Sequence, residues 1–419
     1  MMGALSRSPR NASASLFILW LSAWPFHGRT QAATPTPLPL PRDSWVVGTL
    51  VPSTNDSSTD TVSLEQWPPG SRVALPASSN WVAAYFRQNG KRIDLSWLFN
   101  PEATQVHLEL PSADPRTPPG GPVRFYLESA EHSQQCPDGR IIFSALDAEV
   151  HGRQAKLESN PGNHRIGFWT DRSDTVLWKY KPTRWGKYDV ELVYSADGGE
   201  GTELEIEVAG QKLAVTRPST GTWYRYRTLP VGRVYLAKAE PFTVSVLCKT
   251  LRGAAALNLK AILLRPAPEG QPIVQAPSGT VTLAARDALT HSTMMRYEPA
   301  TNKNCLGFWV NPSDWAEWEF AITHPAVFEV EVWQGCGKGN GGSEVTVVAD
   351  AERLSFVVED TGHFQNFIPR RIGQVHLASA GTHTVSVRPV KKTAAAVMDI
   401  RQIRLVPVGA APVERGIEH

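Results

Sequence analysis

The 419-residue chain has few cysteines, no excess of either charge and no sequence motif of a common catalytic site. Lys and Arg total 42 against 40 Asp and Glu, so the chain lacks the basic surface that nucleic acids and anionic membranes attract. We therefore expect neither nucleic acid nor membrane as a partner. No H-E-x-x-H, nucleophile-elbow or Walker sequence occurs, which argues against the common hydrolases. The paired carboxylates of glycosidases have no local motif and stay open.

One glycine-rich segment satisfies a nucleotide-binding pattern but lacks its structural context. Residues 337–342 fit G-x-G-x-x-G. That motif requires a following helix whose amino terminus faces the phosphates. The alternating residues 344–348 indicate a strand instead, so the segment is predicted to be a hairpin turn.

The four cysteines, Cys136, Cys248, Cys305 and Cys336, form no C-x-x-C pair and have no histidine at metal-ligand spacing. The spacing therefore predicts no structural zinc site. Export to an oxidising compartment would permit disulfides, and Cys305 with Cys336 is the candidate pair because both fall in one module. Buried free thiols are the alternative.

The amino terminus has the pattern of a targeting signal. Arg7 and Arg10 precede the apolar run 16–21, and small residues follow near residue 32. Residues 1–33 are thus predicted to be a signal peptide, and the mature chain to be secreted or periplasmic. An uncleaved anchor is the competing interpretation, but the run is far shorter than the ~20 residues that span a bilayer. Residues 34–42, with four alternating prolines, are predicted to form an extended linker.

Many glycines and prolines and a high tryptophan count, 32, 33 and 14 respectively, accompany short segments of alternating apolar residues. This composition favours short strands joined by turns and predicts an all-β fold.

A long internal repeat defines two modules. The segment that begins Gly167-Phe168-Trp169 recurs from Gly307 at an offset of 140 residues, which becomes 141 after the glycine-rich turn. Each copy has the length of one β-sandwich and should own a core. We assign copy 1 to 142–267, a linker to 268–279, copy 2 to 280–408 and a tail to 409–419.

Residues 43–140 show a further set of short alternating segments and are predicted to form a third, smaller β-sandwich. The predicted fold is therefore all-β, with three consecutive β-sandwiches, of which the last two are a tandem jelly-roll repeat.

The tryptophans of the repeat divide into two groups. Those on predicted strands, Trp169 and Trp178 with their counterparts Trp309 and Trp318, are predicted to lie in the cores. Trp223 and its counterpart Phe364 follow a Thr-Gly turn, so they lie near a loop. Their rings could face a ligand or pack back onto the sandwich, and both alternatives stay open.

The repeated Gly-Phe-Trp segments, Thr-Gly-aromatic turns and closing strands resemble family-six-type carbohydrate-binding modules. These are galactose-binding-like jelly rolls of the kind appended to bacterial α-L-fucosidases and sulfatases. Residues 80–128 resemble, more faintly, the β-sandwich that ends such fucosidases.

The resemblance implies sugar-facing rings at Trp223 and Phe364 and polar partners at Asn258 and Asp399. Phe364 is smaller than the usual ring, and Asp399 replaces an amide. The resemblance also implies a structural calcium, for which Glu158 and Glu298 are the candidate ligands.

The resemblance implies a secreted, non-catalytic protein that binds glycans, with two weak sites acting together. Two alternatives remain: a structural or adhesive protein that binds no sugar, and the accessory part of a fucosidase-like or sulfatase-like hydrolase with a separate catalytic chain. The three sandwiches leave no room for a catalytic barrel.

Overall fold

The computed structural model describes residues 46–47, 51–52, 59–65, 67, 72–77, 79–88, 91–102, 105–111 and 122–409. The predicted signal peptide and proline-rich linker lie outside the described residues. Within these ranges the chain is built of β-strands and two single-turn 3-10 helices, Ala145–Asp147 and Ala285–Asp287, which confirms the all-β prediction. None of the helices among the described residues has the length and hydrophobicity of a membrane-spanning segment.

The amino-terminal sandwich consists of two antiparallel-dominated sheets, in the strand orders β1-β4-β8-β7 and β2-β3-β9-β5-β6. Its strands are β1 Val46–Val47, β2 Val51–Pro52, β3 Thr59–Leu64, β4 Arg72–Pro76, β5 Trp81–Gln88, β6 Lys91–Asp94, β7 Ser96–Asn100, β8 Gln105–Glu109 and β9 Val123–Ser129.

Copy 1 comprises one sheet in the order β19-β16-β21-β11-β10, to which the hairpin β13–β14 adds, and a second in the order β12-β15-β20-β17-β18. Its strands are β10 Gln134–Gln135, β11 Ile141–Ser144, β12 Glu149–His151, β13 Lys156–Asn160, β14 Asn163–Gly167, β15 Thr175–Tyr180, β16 Gly186–Ser195, β17 Thr202–Val208, β18 Gln211–Arg217, β19 Arg225–Leu236, β20 Phe242–Thr250 and β21 Asn258–Pro266.

Copy 2 repeats this arrangement, with sheets in the orders β25-β26-β33-β28-β31 and β22-β27-β32-β29-β30. Its strands are β22 Ile273–Val274, β23 Val281–Ala284, β24 Leu289–His291, β25 Arg296–Glu298, β26 Cys305–Gly307, β27 Trp315–Ile322, β28 Ala326–Cys336, β29 Glu344–Ala349, β30 Glu352–Val357, β31 His363–Leu377, β32 Gly381–Lys391 and β33 Asp399–Pro407.

The repeat is visible in the packing as well as in the sequence. The indole nitrogens of Trp178 and Trp318 donate to the carbonyls of Ser144 and Ala284, each over 2.8 Å. Trp169, Trp178, Trp309 and Trp318 are at most 2% exposed, which confirms their assignment to the cores, although Trp169 and Trp309 lie just after strands β14 and β26. Alternating apolar residues of both sheets meet in each copy, as half-buried strands require.

The sheets of the amino-terminal sandwich and of copy 1 are continuous. Strand β7 pairs with the start of β19, so that Leu98 lies opposite Arg225 and Trp97 opposite Tyr226. The resulting sheet has eleven strands, and one apolar cluster contains residues of both modules. The amino-terminal sandwich is therefore held by backbone pairing and by side-chain packing together.

Copy 1 contacts copy 2 through the loop before β16. The Arg184 guanidinium donates to the Thr290 hydroxyl over 2.6 Å and to the Met295 carbonyl over 2.6 Å. Next to it, the Trp185 indole donates to the Tyr297 carbonyl over 3.3 Å. Arg184 is only 3% exposed, so these bonds fix the loop inside copy 2.

Candidate functional site

In copy 1 the two predicted sugar-contacting residues, Trp223 and Asn258, lie together, and both make contacts within the module. The carbonyl of Trp223 accepts hydrogen bonds from Ser195 Oγ over 2.7 Å and from Asn258 Nδ2 over 2.9 Å. Asn258 is buried, and the Trp223 ring packs against the copy 1 core. The hydrogen bond from the Asn258 amide therefore fixes the backbone immediately after the Thr-Gly turn.

The outer face of this copy 1 sheet is covered by the amino-terminal sandwich. The rings of Trp97 and Tyr226 stack with centroids 5.9 Å apart, and Val193, Ala261 and Leu263 share the same apolar cluster. These positions are fully buried. A ligand could reach them only if the amino-terminal sandwich separated from copy 1.

Buried polar contacts reinforce this cover. Glu128, on β9, binds Arg265 of copy 1 over 2.7 Å and also pairs with Arg140. Burial opposes ionisation of Glu128, but the nearby guanidinium groups outweigh it and lower the pKa of the carboxyl well below its usual range. Lys260 lies in the same contact and donates to Asn80 Oδ1 over 2.7 Å.

In copy 2 the equivalent outer face is open. Trp333, Phe367, Gln402 and Arg404 stand where copy 1 has Val193, Tyr226, Ala261 and Leu263, and all four are partly exposed.

The side chains of this open face are ordered by contacts with one another. The Trp333 indole donates to Glu331, which also pairs with Arg404. The Arg401 guanidinium lies 4.1 Å from the centroid of the Phe367 ring. We call this surface, formed by Trp333, Phe367, Arg401, Gln402 and Arg404, the open face.

The predicted ring Phe364 borders the open face. It is partly exposed and lies on the backbone of Gly337, where an added Cβ would come within 2.4 Å of the ring. Its neighbour Gln365 reaches Asp399, with Nε2 3.3 Å from Oδ2. The structure therefore places both predicted copy 2 residues at one end of the open face, although Asp399 itself is buried.

Asp399 belongs to a buried cluster of three acidic groups. Cys305 Sγ lies 3.5 Å from Asp399 Oδ2, and the ligand atoms of Glu298, Cys305 and Asp399 all lie within 4.8 Å of one another. Burial, together with the nearby Glu298 charge, raises the pKa of Asp399 to about 7. Burial also raises the pKa of the Cys305 thiol well above its usual range.

Neither candidate ligand for calcium has a fitting donor set. Glu158 is bound by both nitrogens of the Arg165 fork, over 3.1 and 2.7 Å. Glu298 has a thiol among its nearest donors. Calcium takes 6–8 oxygen ligands, so these residues do not fit the ion that the resemblance implies.

The predicted disulfide between Cys305 and Cys336 is wrong: all four cysteines are buried and form no disulfide. Strand β33 runs between β26 and β28, so the two cysteines lie two strand spacings apart, about 10 Å. A disulfide needs Cα atoms within about 7 Å.

A cleft of about 1090 Å³ lies apart from the open face. Arg87 and Arg233 lie on one wall, and Trp315, Glu317 and Glu319 of copy 2 lie on the other. The Trp315 ring is covered on both faces, by the His291 ring at 3.6 Å and the Arg388 guanidinium at 3.4 Å. The cleft thus presents no free aromatic face there.

Several exposed aromatic residues were not predicted from the sequence as candidate ligand contacts. Phe168 and Phe308 have positive φ angles of 55° and 60°, which turn the following tryptophans into the cores and leave the phenylalanines outside. Phe168 is 54% exposed, whereas Phe308 packs against Arg296 and Trp185. Only a comparison of the outward positions of the two copies could have drawn attention to Trp333 and Phe367.

No protein-family model and no curated protein sequence matches the chain. Among solved structures, a family 35 carbohydrate-binding module from Clostridium thermocellum is similar, with 16% identity over 30% of this chain and 96% of that chain and a TM-score of 0.26. A family 35 module of Abf62 from Cellvibrio japonicus is similar to the same extent, with 16% identity, 30% and 91% coverage and a TM-score of 0.26. A Paenibacillus xanthan lyase shows 10% identity over 85% of this chain and 34% of its own, with a TM-score of 0.29. Such low values assign the chain to no family.

Proposed function

We propose that the protein is a secreted or periplasmic, non-catalytic glycan-binding protein in which copy 2 supplies the binding surface. The observation that carries this proposal is the difference between the two equivalent sheet faces. The copy 1 face is apolar and covered, whereas the copy 2 face is open and combines rings with hydrogen-bonding side chains. The resemblance of the repeats to family-six-type modules is part of the same proposal.

The chemistry of the open face suits a sugar. Aromatic rings provide an apolar surface for the C–H groups of a pyranose, and neighbouring polar groups bind its hydroxyls. Trp333 and Phe367 provide such rings. Arg401, Gln402 and Arg404 provide donors, and Gln402 provides an acceptor too.

This proposal replaces two equivalent sites with one principal site. Covering copy 1 removes the avidity that two accessible modules would give. We therefore expect one glycan bound per chain, on the open face, and a titration curve that fits a single class of site.

The test is a glycan-array screen of the mature chain, followed by calorimetric titration with the best ligand. Trp333→Ala and Phe367→Ala should each weaken binding by about 10-fold or more, as expected for removal of a central aromatic contact. Phe364→Ala tests the border of the same face. Trp223→Ala, at the equivalent position of copy 1, is the matched control and should leave the affinity unchanged.

Three outcomes would contradict the proposal. An equal loss of affinity in Trp223→Ala and Phe364→Ala would mean that each copy binds sugar at the ring after its Thr-Gly turn. Absence of binding across fucosylated, sulfated and plant-type glycans, by a chain shown to be folded, would favour the structural or adhesive role. Release of sugar or sulfate from any glycan would contradict the non-catalytic assignment.

A further inference from the structure

Three side chains with metal-binding atoms meet at the end of the open face. Glu298, Cys305 and Asp399 come from three adjacent strands, β25, β26 and β33, and each is at most 6% exposed. Their ligand atoms lie within 4.8 Å of one another. The cluster is thus assembled by the sheet and contains two kinds of donor, thiol and carboxylate.

The separation of the donors matches a particular coordination geometry. Tetrahedral zinc, with a Zn–S bond of about 2.3 Å and a Zn–O bond of about 2.0 Å, holds sulfur and oxygen about 3.5 Å apart. Cys305 Sγ and Asp399 Oδ2 are 3.5 Å apart. A thiolate beside carboxylates also favours zinc-class ions over calcium.

The backbone beneath the cluster leaves room for the Glu298 carboxylate. Gly307 lies on β26, which pairs with the strand β25 that carries Glu298. A Cβ added at Gly307 would come within 2.5 Å of Glu298 Oε2. Glycine therefore lets the carboxylate lie against the strand and next to Cys305. Gly167 has the same role for Glu158 in copy 1, at 2.0 Å.

Copy 1 shows how the same position is neutralised without a metal ion. Arg165 occupies the place of Cys305 and forms a two-pronged ion pair with Glu158, and Asn258 occupies the place of Asp399. In copy 2 a thiol stands in place of the guanidinium and a second carboxyl group in place of the amide, so the cation next to Glu298 comes from another residue. Lys303 contacts the cluster from one side, with Nζ 2.8 Å from Glu298 Oε1.

We propose that copy 2 binds one zinc-class divalent ion through Glu298, Cys305 and Asp399. Binding replaces the thiol proton of Cys305 with the metal ion, and that proton is released to solvent. Three protein ligands are the number found in zinc sites that keep a fourth position for water or a ligand. The site does not depend on glycan binding and is tested without it.

The experiment is a cobalt titration of the metal-free full-length mature chain, followed by competition with zinc. Co²⁺ bound by a thiolate gives a charge-transfer band in the near ultraviolet, and we expect it to saturate at one ion per chain and to disappear when zinc is added. Cys305→Ser should abolish the band. Cys248→Ser, which removes a buried cysteine of copy 1, should preserve it.

Two further variants probe the carboxylates and the competing cation. Asp399→Asn should weaken zinc binding at least 10-fold, because the amide is a poorer ligand. Lys303→Met should tighten zinc binding several-fold, because it frees Glu298 from its ammonium partner.

A missing charge-transfer band in the folded wild-type chain would overturn the proposal, as would an undiminished band in Cys305→Ser. Thermal unfolding of each variant without metal tests whether the fold is retained, and only folded variants are compared. Loss of glycan binding alone would leave the metal proposal untouched, because the cobalt band reports only on the thiolate.

Discussion

The ring of Tyr226 in copy 1 stacks on the ring of Trp97 in the amino-terminal sandwich, with centroids 5.9 Å apart and planes 24° apart. The two residues are also opposite each other in the strand pairing that joins the sheets. The contact therefore links the two modules through side chains and backbone at one place.

Trp97→Ala should lower the free energy of unfolding by about 3–5 kcal/mol, because it removes a large ring that is 1% exposed and leaves a cavity. Chemical denaturation measures the change, and hydrogen exchange at β7 and β19 locates it. Val390→Ala, at a side chain that is 67% exposed, is the control and should change stability by less than about 0.5 kcal/mol. If Trp97→Ala had as small an effect as Val390→Ala, the stacking of Trp97 on Tyr226 would not stabilise the contact between the two modules.

Glu128→Gln should destabilise the protein by about 3–5 kcal/mol. It removes the carboxylate that three arginines share, and the other acidic partners of these arginines then balance their charge less well. The folded pKa of Glu128 lies below its unfolded value of 4.5. Its contribution is therefore present above about pH 4.5 and is lost as the pH falls. Between pH 7 and pH 3.5 the free energy of unfolding, measured by chemical denaturation, should fall less in the variant than in the wild type. Parallel losses would argue against the network.

Lys260→Met should change how stability depends on alkaline pH. Burial lowers the pKa of Lys260 from 10.5 to about 7, and the Arg165 charge adds to this effect. The unfolded chain therefore binds more protons between pH 7 and 10.5, so stability rises with pH in that window. We expect the wild type to gain about 2–3 kcal/mol from pH 7 to 9, and the variant to lack this gain. Equal slopes in denaturation experiments would contradict the assignment.

Gly373→Ala should be more destabilising than Gly381→Ala, although both glycines have positive φ, of 139° and 127°. An added Cβ at Gly373 would lie 2.8 Å from Leu354 Cδ2, whereas Gly381 has open space around it. We expect an additional cost of about 1 kcal/mol at Gly373, because the methyl group of the partly exposed Leu354 must move aside. Thermal unfolding measures it, and Leu354→Ala in the Gly373→Ala background should recover part of the loss. If the second substitution recovered none of the lost stability, the cost of Gly373→Ala would come from backbone strain alone.

The all-β fold and the two equivalent modules could be predicted from the sequence because they depend on local pattern and on the internal repeat, and the repeat extends to individual hydrogen bonds. Thr183 and Thr323, 140 residues apart, bind Gln135 and Gln275 through the same pair of hydrogen bonds. Such matches follow because equivalent residues lie on equivalent strands.

The covering of copy 1 could not be predicted in this way, since it depends on β7 meeting a strand more than a hundred residues later. The signal lay in outward positions, where Ala261 and Leu263 of copy 1 correspond to Gln402 and Arg404 of copy 2. The cluster around Cys305 escaped for a similar reason. Spacing rules detect ligands close together in sequence, whereas Asp399 lies 94 residues beyond Cys305.

The loop that carries Arg184 and Trp185 determines whether the tandem could extend. Its counterpart in copy 2 has His324 and Pro325, which lack the guanidinium and indole donors. The Thr290 residue, whose hydroxyl accepts the bond from Arg184, corresponds in copy 1 to Val150, whose side chain cannot accept a hydrogen bond. A head-to-tail contact that could repeat would generate an open filament. Here copy 1 makes this contact with copy 2 once, and the residues at the equivalent positions could not form the same hydrogen bonds with another chain.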